Sequence, residues 1–131
     1  MAASKDARTF GNFMEEAYGF SQAVRVGDIV YVSGQTAMGE DFSAIGGDDM
    51  EAQMREAYAG VTRVLAMFGA GPSDVVDEVL FVTDVMAAAT CAKHVRGEIY
   101  GESFPVASTL IGVAALGSPD LMIEIKCIAH V

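Results

Sequence analysis

Few residues in this 131-residue chain are spaced for chemistry. His94 and His130 lie far apart, and no serine–histidine–aspartate or metal-ligand spacing involves either. Cys91 and Cys127 form no Cys-x-x-Cys pair and read as small buried hydrophobes. Three features remain: the carboxylate of Glu124 within an otherwise apolar run, Ser33-Gly34 at the end of a β-branched run, and Lys93 with Arg96. A carboxylate in hydrogen-bond reach of a water can take up a proton and return it. Glu124 equally fits an exposed ion pair with Lys126. Gly34 lets a ligand approach the backbone closely, or ends a strand. Lys93 and Arg96, three apart, share a helix face that reaches an anion or is simply solvated.

The elements that must position these groups are legible in the periodicity. Polar residues 1–16 read as a loop or mobile end. Tyr18 to Val26 reads as a strand, Gly27-Asp28 as a turn, and Ile29 to Ser33 as the returning strand of a hairpin. Asp48 or Asp49 is the expected N-cap of a helix through about Phe68, with an apolar stripe from Met54 to Phe68 and Gly69 as its stop. Val75 to Thr83 is a further strand, and Asp84 caps a second helix running to about Tyr100. Ala107 to Leu116, with Gly112 as a bulge, and Leu121 to His130 complete a β-β-α-β-α-β-β order. Right-handed crossovers would put both helices on one sheet face and leave the other bare.

That bare face is not polar enough for water. Met122 and Ile128 share it with Glu124, Lys126 and His130, and the strand from Ile29 to Ser33 is apolar on both faces. Self-association is the expected cover. The length fits a single domain, 1–131, and 52% hydrophobic residues suffice for a core. The net charge of −10 argues against nucleic acid and against anionic membranes as partners. No apolar signal core opens the chain, and no run of about 18 apolar residues could span a bilayer, so a cytoplasmic location is the default.

Gly19-Phe20-Ser21-Gln22-Ala23-Val24, Ile29-Val-Tyr-Val-Ser33-Gly34-Gln35, Phe104-Pro105-Val-Ala-Ser108-Thr109 and Met122-Ile-Glu124-Ile-Lys-Cys-Ile-Ala occur in an order and spacing that resemble the RidA/YjgF family. The helix beginning near Gln53 and the segment from Asp74 to Asp84 fit as well, so the resemblance covers nearly everything from Tyr18 onward. It implies a chorismate-mutase-like α+β subunit, a homotrimer with ligand clefts between subunits, and hydrolysis of reactive enamines and imines such as 2-aminoacrylate without a metal or organic cofactor. Glu124 matches the family's water-positioning glutamate. Gly34 and Thr109 stand where the family uses main-chain donors, and Ser33 adds a hydroxyl in the same corner. Phe20 replaces the usual Tyr, keeping the ring and losing the hydroxyl.

Ala107 is the departure. The deaminases carry an Arg there that clamps the substrate carboxylate through two hydrogen bonds. Its loss is worth about ten- to a hundredfold in affinity for such a substrate. Arg96 or Lys93, on a helix that borders a neighbour's cleft in the family, is the candidate replacement. The expectation is therefore a hydrolase for a small imine, enamine or related carbonyl compound, inefficient on 2-aminoacrylate. The alternatives are a non-hydrolytic, tautomerase-like enzyme and a small-molecule-binding trimer without turnover. The family's link to ribonuclease activity finds no electrostatic support in so acidic a chain.

Overall fold

The computed structural model describes residues 4–131. Residues 1–3, which belong to the expected N-terminal loop and to the start read for a signal core, lie outside the described residues. The elements are β1 (Asp6–Arg8), α1 (Phe13–Tyr18), β2 (Ala23–Val26), β3 (Ile29–Thr36), α2 (Met50–Ala66), a 3₁₀ turn (Pro72–Asp74), β4 (Val75–Val82), α3 (Val85–Tyr100), β5 (Ala107–Gly112) and β6 (Ile123–His130). They build one six-stranded sheet in the order β1-β2-β3-β6-β4-β5, antiparallel except for the β4–β5 pair.

Both long helices start on aspartates. The Asp49 side chain accepts from the Ala52 N–H and that of Asp84 from the Ala87 N–H, each filling an orphan donor of the first turn. Their apolar stripes pack on one sheet face. Met54, Tyr58, Val61, Leu65 and Val95 meet Val30, Val32, Leu80, Ile123 and Ile125 there, all essentially inaccessible to solvent. The last strand keeps the expected alternation: Ile123, Ile125, Cys127 and Ala129 are buried, while Glu124, Lys126, Ile128 and His130 face the other way. That second face is apolar where β3 and β5 cross it, since Tyr31 and Ile111 stand exposed beside half-buried Val79 and Phe81. Both cysteines are buried and unpaired.

Three expectations are corrected. Residues 4–16 are not simply a loop, because β1 pairs with β2 and α1 forms between these two strands. Strand β2 is accordingly confined to Ala23–Val26. Gly112 is not a bulge. Its register with Val82 is regular, and a Cβ there would lie 2.8 Å from Val85 Cγ2, so the glycine serves the close approach of α3. The bulge lies instead in β3, between Val32 and Gln35.

Candidate functional site

The β3 bulge carries Ser33 and Gly34, and its geometry brings Gly34 against Glu124. A Cβ built on Gly34 would stand 2.6 Å from the Glu124 carboxyl carbon. The absent side chain is the space the carboxyl occupies. Glu124 is half-buried, and burial pushes its pKa above the ordinary glutamate value, against the opposing pull of Lys126. Among the described residues no hydrogen bond to this carboxyl accompanies the shift. Two residues upstream, buried Gln53 of α2 fixes the entry into β6. Its Nε2 donates to the Gly47 and Asp120 carbonyls, at 2.7 and 2.8 Å, and its Oε1 accepts the Met122 N–H at 2.9 Å.

Glu124 opens onto a groove of about 930 Å³ that Gly34 and Phe20 also line. Ser33 is beside it, but its hydroxyl donates to the Ser21 carbonyl at 2.6 Å, which ties β3 to the segment before β2. Of the sequence-derived candidates, Glu124, Gly34, Phe20 and Ser33 therefore come together. Ala107 and Thr109 do not join them within one chain. Both are exposed on edge strand β5, where Ala107 pairs with Asp77 of β4, whereas Glu124 pairs with Phe81 on the other side of β4. Four residues and two strand spacings separate Glu124 from Ala107 by roughly 16 Å.

Arg96 is corrected as a free cation. Its Nε donates to Glu78 Oε2 at 2.9 Å, on the helix-covered face of the sheet, and within one protomer it does not line the groove beside Glu124. Glu78 is the functional-looking group that sequence reading missed. It is fully buried, and its carboxyl also accepts from Tyr58 (2.7 Å), Tyr100 (2.9 Å) and Ser108 (2.6 Å). Burial and the neighbouring carboxylate push both tyrosine pKa values up. The cluster joins α2, α3, β4 and β5, and so holds the strand that presents Ala107 and Thr109. A signal existed, since residue 78 is in phase with Leu80 and Val82 on the buried face.

The N-terminal segment is the second omission. Asn12 and Glu15 form a capping box on α1, and Glu15 is itself buried. Burial pushes its carboxyl up, but donors from Phe10 (2.7 Å) and Asn12 (2.8 Å), with Gln22 and Gly11, outweigh that and hold it below the ordinary range. This brace puts Phe10 and Phe13 on the groove wall.

The family described as Endoribonuclease L-PSP matches residues 11–131. A RutC family protein of Pyrococcus abyssi is 30% identical over 111 residues, 85% of each chain. Among solved structures, Rv2704 of Mycobacterium tuberculosis, described as a member of the YjgF/YER057c/UK114 family, is 32% identical with a TM-score of 0.84, over 98% of this chain and 100% of that one. RidA from the Antarctic bacterium Psychrobacter sp. PAMC 21119 is 25% identical with a TM-score of 0.78, over 100% and 99%. With the α+β sheet shared and nearly the whole chain matched, this protein belongs to the Endoribonuclease L-PSP family, the group that includes YjgF and RidA.

Proposed function

We propose that this chain hydrolyses a small reactive imine or enamine to a carbonyl compound and ammonia, with Glu124 as general acid/base in a cleft completed by a second subunit of a homotrimer. The observation that carries the reading is the carboxyl of Glu124, desolvated against Gly34 and open to the groove, with no hydrogen bond to it among the described residues. A raised pKa brings the group nearer to neutral pH, where a base that must also act as an acid works best. An enamine first tautomerises to the imine. Glu124 takes a proton from water as the water oxygen bonds to the C=N carbon, and passes that proton to the nitrogen to give a carbinolamine. Glu124 then takes the carbinolamine hydroxyl proton and gives it to nitrogen as the C=O bond forms and the C–N bond breaks, releasing ammonia. Main-chain N–H groups at Gly34, and at Thr109 of a neighbouring copy, are the expected holders of the substrate oxygen, with Phe20 as a wall.

The homotrimer is supported by two features. The helix-free sheet face exposes Tyr31 and Ile111 beside half-buried Val79 and Phe81. Glu124 and Ala107 also lie too far apart in one chain, roughly 16 Å, to touch the same small molecule. Light scattering at low micromolar concentration should return three times the 13.8 kDa chain mass.

Ammonia release from freshly generated imines tests the chemistry. Glu124→Gln should lower kcat at least about a hundredfold, the usual scale for a lost general acid/base. Equal rates in both proteins would remove Glu124 from the mechanism. Ala107→Arg should raise hydrolysis of 2-aminoacrylate about ten- to a hundredfold by restoring a charge-assisted clamp. An unchanged rate would mean that more than the clamp differs. Ala107 also favours a second reading, a trimer that binds a small molecule without turnover. Saturable binding with no ammonia from any imine would select it.

A further inference from the structure

The groove beside Glu124 is walled by aromatic rings to a degree that composition alone does not require. Four of the chain's seven phenylalanines line it: Phe10, Phe13, Phe20 and Phe42. All four are exposed in the protomer, Phe13 at 68% and Phe42 at 50%. Phe13 and Phe42 meet edge to face with ring centroids 6.1 Å apart. Single exposed aromatics need no explanation; four around one concavity do.

These rings are braced rather than trailing in solvent. Phe10 and Phe13 hang on the segment held by buried Glu15. Phe42 sits at φ +65, a conformation that bulky residues rarely adopt and that persists only where the surroundings impose it. Its loop is closed by backbone bonds from Phe42 N–H to the Gly39 carbonyl (3.0 Å), Gly39 N–H to the Ser43 carbonyl (2.8 Å) and Ile45 N–H to the Ala37 carbonyl (2.7 Å). Asp41 Oδ1 accepts from both the N–H and the hydroxyl of Ser43. A strained aromatic held by this many bonds marks a site more than a packing accident.

The charges around the groove point the same way. Glu40, Glu56 and Glu124 line it against the single guanidinium of Arg63, in a chain of net charge −10. An anion entering it meets repulsion, while a cation meets carboxylates and aromatic faces. We infer that this groove takes a cationic, aryl-bearing compound without a carboxylate, an arylalkyl iminium in the proposed reaction, with Phe13 and Phe42 holding its ring and Glu124 at its nitrogen end. The inference rests on the proposed function for the word iminium and on the groove alone for the aryl cation.

Two experiments separate these parts. The first is binding of 2-phenylethylammonium and of phenylacetate, followed by NMR titration of the full-length protein. The ammonium ion should bind, and Phe13→Ala and Phe42→Ala should each weaken it about three- to tenfold, the scale of one lost aromatic contact. Phenylacetate should bind at least about tenfold more weakly. Equal or tighter binding of phenylacetate overturns the inference, as does indifference to both substitutions. A change in particle mass on either substitution also overturns it, by assigning the rings to a subunit contact.

The second experiment compares kcat/KM for imines generated in place from 2-phenylethylamine, phenylalanine and alanine. The carboxylate-free aryl imine should lead by about tenfold or more, and Phe13→Ala should raise its KM while sparing kcat. Turnover that depends on Glu124 but favours the alanine-derived imine would overturn the specificity and leave the chemistry standing. Aryl-cation binding with no imine turnover would overturn the chemistry and leave the groove's preference standing.

Discussion

At Gly34 the volume of a side chain is already filled by a neighbour's carboxyl, which makes this the position where stability and activity should part company. The atoms that a Cβ would strike are side-chain atoms of Glu124 (Cδ, Oε2 and Cγ) that a change of rotamer moves aside, and the backbone at Gly34 is not left-handed. Gly34→Ala should therefore change Tm little while pushing the Glu124 carboxyl out of place. Circular dichroism melting should show a shift within about 1 kcal/mol of wild type. Ammonia release should fall toward the level of Glu124→Gln. Retained activity would show that Glu124 works from another rotamer.

The raised pKa of Glu124 gives a second outcome at this scale. The folded state holds the proton more tightly than the unfolded chain, so the stability this group contributes is present below the ordinary value of 4.5 and is lost as pH rises through the higher native value. Glu124→Gln should consequently gain on wild type in Tm as pH is raised from below 4.5 toward neutrality. The acid limb of kcat/KM should lie above 4.5 for the same reason.

Among the elements, β5 depends most on a contact distant in sequence. It is an edge strand, exposed along its length, and its fastening to the helix layer runs through Ser108 into the carboxyl of Glu78. Glu78→Ala would strand the Arg96 guanidinium and the Tyr58, Tyr100 and Ser108 hydroxyls around an apolar gap. A loss of about 3–5 kcal/mol is expected, measured by urea denaturation. Ser108→Ala removes one donor and should cost about 1 kcal/mol. In that milder variant, hydrogen exchange should quicken at residues 107–112 before it does in β6. If the core strand loosens first, the cluster anchors the helices and not the edge.

For the whole molecule, the proposed assembly turns on the sheet face opposite the helices. Tyr31 and Ile111 are exposed on it in the protomer, and the proposed trimer covers this face. Placing a charge at its centre with Tyr31→Glu should shift the scattering mass toward the 13.8 kDa protomer and abolish ammonia release, since the proposed cleft needs two subunits. A dissociated protomer with undiminished turnover would disprove the shared cleft.

Local pattern determined the two long helices and the main strands. Asp49 and Asp84 cap helices whose apolar stripes are complete, and β6 alternates without a break, so nearest-neighbour chemistry suffices to read them. It also placed Glu124 on the open face, out of phase with the buried residues of its strand. Three features depended on contacts that linear order hides. Helix α1 has only six residues, below the length that is stable alone, and rests on the burial of Glu15. Glu78 resembled one more polar residue until Tyr58, Arg96, Tyr100 and Ser108 converged on it from three other elements. That convergence also ties Arg96 to Glu78 within its own protomer. The aromatic wall joins Phe13 to Phe42 across twenty-nine positions of chain, and only the folded path brings two such rings to one groove.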